Sequence, residues 1–281
     1  MTSRFALIDS QQQPLSQSPA FRGQPIPTAG RLIINADDWG RDRPTTEPIL
    51  SCAMKGTVSS VSAMVFMEDS ERAAAIAAER GIDAGLHLNF TTPLTAPNCP
   101  AKLKDQQLEL GGYLRRHALA RVVFHPGLAG AFEYVVAAQI EEFRRIYGAD
   151  PSRIDGHHHQ HLCANVLFAG LLPEGTLVRR NFSFQPGEKS FVNRFYRRSM
   201  DRLLSRKYQL VDGLFSLLPL LPVSRLQQIV ALARYQVIEL ETHPINPEER
   251  SFLFGEGIFQ LIGDIPIARR FCLAGPAGPA E

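Results

Sequence analysis

Short apolar runs with extended character alternate with helical patterns along most of this chain, and that alternation restricts the fold more than any other feature. Arg31-Leu32-Ile33-Ile34-Asn35-Ala36 reads as a buried strand, followed by a helical pattern over about 45–55 that stops at Gly56. Val58 to Phe66 is β-branched and alternating, hence strand; Ser70 precedes an Ala-rich helix ending at Gly81; Ile82 to Phe90 is strand again. A helix over 131–147 closes at Gly148, strand candidates follow at 152–162, 176–184 and 235–242, and helical patterns at about 164–171, 188–206 and 223–234. Residues 91–125 carry Pro93, Pro97, Pro100 and Gly111-Gly112 and read as a long irregular excursion. Strands alternating with helices fold as a parallel sheet with helical crossovers. The expected class is α/β: an irregular (β/α) TIM-like barrel of parallel strands in a single domain over 31–273. A doubly wound open sheet is the second choice. Residues 1–30, rich in Gln, Pro and Ser, are expected to be a flexible extension, and 274–281 a loose tail.

Composition removes several function classes. The 281 residues hold 30 Lys and Arg against 28 Asp and Glu, a net charge of +2, which is not the balance of a nucleic-acid binder. No stretch approaches the roughly 20 apolar residues of a membrane span, and Phe5-Ala6-Leu7-Ile8 is far short of a signal-peptide core. Cysteines 52, 99, 163 and 272 form no Cys-x-x-Cys and read as free thiols of a reducing compartment, so the cytoplasm is the expected location. A homodimer is one assembly open to such a chain. Neither a dinucleotide fingerprint nor a phosphate-binding P-loop occurs.

The chemistry concentrates in four segments. Asp155-Gly156-His157-His158-His159-Gln160-His161 puts four of eight histidines within five residues. If that segment is extended, Asp155, His157, His159 and His161 share one face, because strand side chains alternate. A stripe of buried imidazoles is costly without a metal or carboxylate partners. Asn35-Ala36-Asp37-Asp38-Trp39-Gly40 stands at the end of the first strand, where parallel α/β folds bind ligands. Adjacent desolvated carboxylates repel, and a metal on one leaves the other as a base. A helix cap or turn is the bland alternative for an isolated Asp-Asp. Gly85-Leu86-His87-Leu88-Asn89 and Glu239-Leu240-Glu241-Thr242-His243-Pro244 end two further strands; alone, each is as consistent with a core histidine or a turn.

In this order the four blocks resemble the signature of the YdjC-like (ChbG/HpnK) carbohydrate deacetylases, over about residues 31–250. The resemblance implies an irregular barrel that hydrolyses an N-acetyl group from an amino sugar with a bound divalent metal. It implies Asp38, His87 and His157 as metal ligands and Asp37 as the base. Trp39 stands where Phe is usual, and Arg41-Asp42-Arg43 where the family has small residues.

Two imidazoles and one carboxylate leave coordination positions open for water and a substrate oxygen. Asp37 would take the water's proton, and His243 is the candidate donor to the departing amine, with His159 or His161 next. Asp155 is suited to fixing an imidazole tautomer, and Glu239 belongs with it in the surrounding shell. Nitrogen ligands favour Zn2+, with Mg2+ as the alternative. The rival readings are a metal-dependent phosphoesterase, often with two ions, and a barrel that binds sugar without turning it over. Finally, Arg179 to Lys207 holds nine Lys or Arg and two acids. The bland reading is a solvated helix face. The sharper one is an anion site or membrane surface, helped by the apolar Leu214–Leu221 run. Arg179 or Arg180 could instead clamp substrate inside the barrel.

Overall fold

Nineteen elements follow one another in the computed structural model, which describes residues 30–116, 118–184, 188–271 and 273. The expected extension up to residue 29, the tail 274–281 and Cys272 lie outside the described residues. The strands are β1 (Arg31–Trp39), β2 (Ser60–Ala63), β3 (Asp83–Leu88), β4 (Arg153–Gly156), β5 (Leu177–Val178), β6 (Gly213–Ser216) and β7 (Val237–Thr242). Between and after them come α1 (Arg43–Met54), α2 (Ser70–Arg80), α3 (Ala101–Arg116), α4 (Ala129–Tyr147), α5 (Ala164–Phe168), α6 (Phe191–Leu204), α7 (Val223–Leu232), α8 (Pro247–Phe254) and α9 (Gly257–Ile262). Short 3-10 turns complete the count.

The seven strands form one all-parallel sheet in the order β5-β4-β3-β2-β1-β7-β6, curled into a half-barrel of TIM-like character. A parallel bridge from Leu177 to Gln209 ties the β5 edge to the segment entering β6. Alternation along each strand sorts the side chains. Outward residues such as Leu32, Ile34, Val61, Leu86, Ile154 and Leu240 are buried under the helices, each contributing roughly 1.5–3 kcal/mol. Inward positions change character along the barrel axis. Ile33, Leu177 and Val237 close one end with Val211 and Phe271. One inward step later stand Asn35, Arg179 and Glu239, and then Asp37 and Glu241. The barrel is thus apolar at the amino ends of its strands and charged at their carboxyl ends.

Three expectations need correction. Residues 91–125 are not all irregular: α3 occupies 101–116, and its buried Leu103, Gln107, Leu110 and Leu114 recur at helical spacing. The prolines precede that helix rather than interrupt it, and Gly111 sits where α3 crosses close to the Phe90 carbonyl. The 152–162 strand ends at Gly156, and 176–184 contracts to Leu177–Val178. Leu214, Phe215 and Leu217 are buried in and beside β6, so the first half of the Leu214–Leu221 run is core, and only its end, at Pro219 and Leu221, reaches the surface. Cys52, Cys99 and Cys163 are free and buried. Among the described residues no helix is long and apolar enough to cross a membrane.

The two adjacent glycines of α3 should respond oppositely to alanine. A Cβ at Gly111 would lie 2.9 Å from the Phe90 carbonyl oxygen, whereas one at Gly112 meets nothing within 4 Å. Gly112→Ala should stabilise the fold by about 1 kcal/mol through helix propensity, and Gly111→Ala should destabilise it. Denaturant unfolding of both variants checks this; equal stabilisation would mean α3 does not approach Phe90.

Candidate active site

Five strand ends build the site. Consecutive strand residues normally point to opposite faces, so Asp37 and Asp38 should not both look into the barrel. They do because the β1–β2 register shifts between Ala36 and Trp39 and Asp38 adopts a left-handed φ of 69°. Asp38 Oδ1 then lies 3.4 Å from His87 Nε2 and 2.8 Å from His157 Nδ1. His87 is fixed from its other nitrogen: Nδ1 stands 2.6 Å from Asp155 Oδ1, and β3–β4 register places the two residues side by side. The Asp155 contact at Nδ1 leaves His87 Nε2 turned toward Asp38.

The histidine run reaches the site by another route than alternation. β4 ends at Gly156, and His157–Leu162 forms a 3-10 turn in which His158 and His159 have φ of 54° and 56°. Gly156 permits this, since a Cβ there would meet the His161 backbone nitrogen at 2.9 Å. His157 faces Asp38; His159 Nε2 faces Glu241 Oε2 at 3.3 Å; His161 Nε2 donates to the Arg179 carbonyl oxygen at 2.9 Å. His158, outside the expected set, bonds Thr91 Oγ1 at 3.0 Å through Nδ1. Burial pushes the His161 imidazole down to about 3, so it stays neutral.

Arg179 is fully buried among acids. Its Nη1 and Nη2 each donate to Asp37 at 2.7 Å, and Nε donates to Glu239 at 2.8 Å. Glu241 and Asp155 lie 3.2 and 3.3 Å away. Such a guanidinium is committed to organising carboxylates; Arg180 turns away and pairs with Asp201. Asn35, Ser62 and Arg153 complete the network. Asn35 Nδ2 donates to Asp37 Oδ1 and Ser62 Oγ at 2.8 Å, and Ser62 Oγ donates to Asp155 Oδ2 at 2.6 Å. Arg153 donates to Asn35 Oδ1 and to the Val61 carbonyl. The sequence signal for these three is only that a polar residue sits on an inward position.

The electrostatics follow from this packing. Burial alone would raise the Asp37 carboxyl, but the charges of Arg179 and His87 hold it below the usual carboxylate range. Asp38 is also lowered against its burial, by hydrogen bonds from His157 and His87. For His87, burial would lower the imidazole, yet Asp37 and Asp155 outweigh it and raise it to about 10. The pocket between these acids thus demands a positive charge. Asp38 Oδ1 is buried with only the two imidazole nitrogens of His157 and His87 facing it, and Asp38, His87 and His157 offer ligand atoms within 4.8 Å of one another. Bonds of about 2.0–2.2 Å to a common ion put neighbouring ligand atoms roughly 3–3.5 Å apart, so these residues fit a divalent cation. Asp37, Glu241 and His243 form a second such group, but Arg179 already sits on both of its acids. His243 Nε2 is 4.0 Å from Asp37 Oδ2 at the partly open rim, and its backbone N–H donates to Glu249. Beside the rim a cleft of about 710 Å³ begins at Phe182, whose ring packs 4.6 Å from His159.

A sequence profile described as YdjC-like protein matches residues 31–253. The chain is 34% identical over 154 residues to chitooligosaccharide deacetylases of Yersinia pestis (strain Pestoides F) and Yersinia pseudotuberculosis (strain YPIII), covering 53% of this chain and 58% of each relative. The chain therefore spans little more than half the length of the curated relatives it matches. The crystal structure of a putative cellobiose-phosphate cleavage protein from Enterococcus faecalis V583 superposes with a TM-score of 0.62 at 18% identity, covering 85% of this chain and 97% of that one. At that identity the likeness concerns the fold.

Glu239 makes the site's burial measurable. Burial pushes its carboxyl up from 4.5 to about 7, with Arg179 offsetting only part. In the unfolded chain it ionises near 4.5, so the native state binds the extra proton between the two values. Stability from this group is full below pH 4.5 and is lost as pH rises through about 7. Glu239→Gln lacks that loss and should gain on the wild type by on the order of 3 kcal/mol across the window in denaturant unfolding. A pH-independent difference would contradict the buried placement.

Proposed function

The chain belongs to the YdjC-like family, and from that premise we propose that it is a metal-dependent hydrolase removing the N-acetyl group from an amino sugar or sugar conjugate. The observation that carries this reading is the convergence of Asp38, His87 and His157 beside an ionised Asp37 at the carboxyl ends of the strands. Those three residues would hold the ion, His87 through Nε2 because Asp155 engages Nδ1. Bound there, a divalent ion supplies Lewis acidity toward the amide carbonyl and lowers the pKa of water. The two imidazoles favour Zn2+, with Mg2+ as the alternative.

Asp37 is the proton acceptor. Arg179 and Asn35 fix its orientation and keep it ionised, which limits its intrinsic basicity and suits it to a water already made acidic. His243 is the donor to the leaving amine: it stands at the partly open rim with Nε2 4.0 Å from Asp37 Oδ2, beside the proton acceptor rather than across the substrate from it. His161 is a poorer donor because it is buried and neutral. Asp155, Glu239 and Arg179 position the acting groups, and His159 with Phe182 forms the wall against which an N-acetylated sugar would rest. The phosphoesterase alternative would need a second ion on Asp37 and Glu241, where Arg179 competes with it.

Acetate release from a panel of N-acetylated sugars, with and without chelator, tests the reading. Release that chelator abolishes and Zn2+ restores supports it; release insensitive to chelator refutes metal dependence. Asp38→Asn should lose metal first, whereas Asp37→Asn should retain metal and lose activity by roughly 10²–10⁴-fold. The reverse pattern would exchange their roles. His243→Ala should retain metal and lower turnover, less so for substrates with a weakly basic leaving amine. An equal loss on all substrates would make His243 a positioning group.

A further inference from the structure

Helix α6 is amphipathic with the wrong face outward. Its packed side runs through Asn193, Arg197, Asp201 and Leu204, and its apolar stripe faces solvent. Phe191 is 77% exposed, Val192 75% and Phe195 60%, and the Phe191 and Phe195 rings stack with centroids 6.4 Å apart. Tyr196 and Leu203 continue the stripe along the helix. Across the 710 Å³ cleft, exposed Leu221 and Val223 flank the wall made by Leu218, Pro219 and Pro222. Exposed aromatics on one helix face are costly in water unless something covers them.

The charges identify the cover. Arg198 and Arg202 are exposed at the edge of the apolar stripe, with Lys189 before the helix and Arg206 after it. The nearby acids are occupied: Asp201 is buried against Arg180, and Glu188 pairs with Arg225. A helix with aromatic and aliphatic residues on one side and arginines along its border matches the interface of an anionic bilayer, where rings enter the acyl boundary and guanidinium groups stay among headgroups. A second copy of this chain is a poorer cover, since a two-fold contact would bring the same arginines together. Residues 1–29 carry only Asp9 against Arg4 and Arg22, and 274–281 only Glu281, so neither offers complementary charge.

We infer that the exposed face of α6 docks this protein peripherally on an anionic lipid surface. The inference rests on the helix and its border charges and is independent of the reaction proposed above. Vesicle flotation of the full chain tests it, using phosphatidylcholine alone or with about 30% phosphatidylglycerol, at low and high salt. The wild type should float only with the anionic vesicles and detach at high salt. Phe191→Ser/Phe195→Ser and Arg198→Glu/Arg202→Glu should each weaken binding by roughly tenfold or more. Both variants should keep the wild-type circular dichroism, melting temperature and metal content. No flotation of the wild type would overturn the proposal. So would binding unchanged in the Phe pair, which would mean a purely electrostatic contact, or a wild-type dimer that the Phe pair converts to monomer, which would assign the face to a second copy.

Discussion

One buried guanidinium holds the charged end of this half-barrel together. Arg179, immediately after β5, reaches Asp37 on β1, Asp155 on β4 and Glu239 and Glu241 on β7. Removing it would leave several carboxylates desolvated and uncompensated, the kind of loss that costs about 3–5 kcal/mol even for a single pair. The same contacts give the site its asymmetry. Arg179 supplies positive charge to the Asp37 and Glu241 side; on the other side Arg41 pairs with Asp38 Oδ2 at 2.7 Å, and Asp38 Oδ1 is left facing the His87 and His157 imidazoles. His87, raised to about 10 by Asp37 and Asp155, and the crowding of two imidazoles on one Asp38 oxygen mark where a further positive charge fits.

Backbone strain does the aiming. A left-handed Asp38 and two successive left-handed histidines are costly, of order 1–3 kcal/mol each, and persist only where surrounding packing enforces them. At Asp38 the strain turns two neighbouring carboxylates to one side of the strand. At His158 and His159 it folds the run back so that His157, His159 and His161 meet three different partners: Asp38, Glu241 and the Arg179 carbonyl. The apolar plug around Ile33 and Phe271 at the opposite end supplies the rigidity against which these turns are held.

The sequence was most legible where local pattern and position agree. Parallel α/β architecture follows from alternating elements, and Asp37, Asp38, His87, Asp155 and His157 stand out because polar residues interrupt apolar runs at strand ends. The extended reading of the histidine run failed because nothing in Gly-His-His-His announces a left-handed turn. α3 was hidden by its flanking prolines and its glycine pair, although Leu103, Leu110 and Leu114 already carried helical spacing. β6 was hidden because a four-residue strand in an apolar run has no period of its own. Asn35, Ser62 and Arg153 act only through partners brought from other strands. Arg179 reads as a solvated cation or a substrate clamp, and its commitment to carboxylates is visible only once the four acids around it are known. Those relations are tertiary and leave no local trace.

On the reading proposed above, Arg179 and a single cation divide the acidic pocket between them. Diffraction from Zn2+-soaked crystals, with anomalous differences measured at the zinc edge, tests it most directly. One strong peak per chain is expected, bounded by Asp38, His87 and His157, with Arg179 still on Asp37. A peak among Asp37, Glu241 and His243, two peaks of comparable height, or none in the pocket would contradict it.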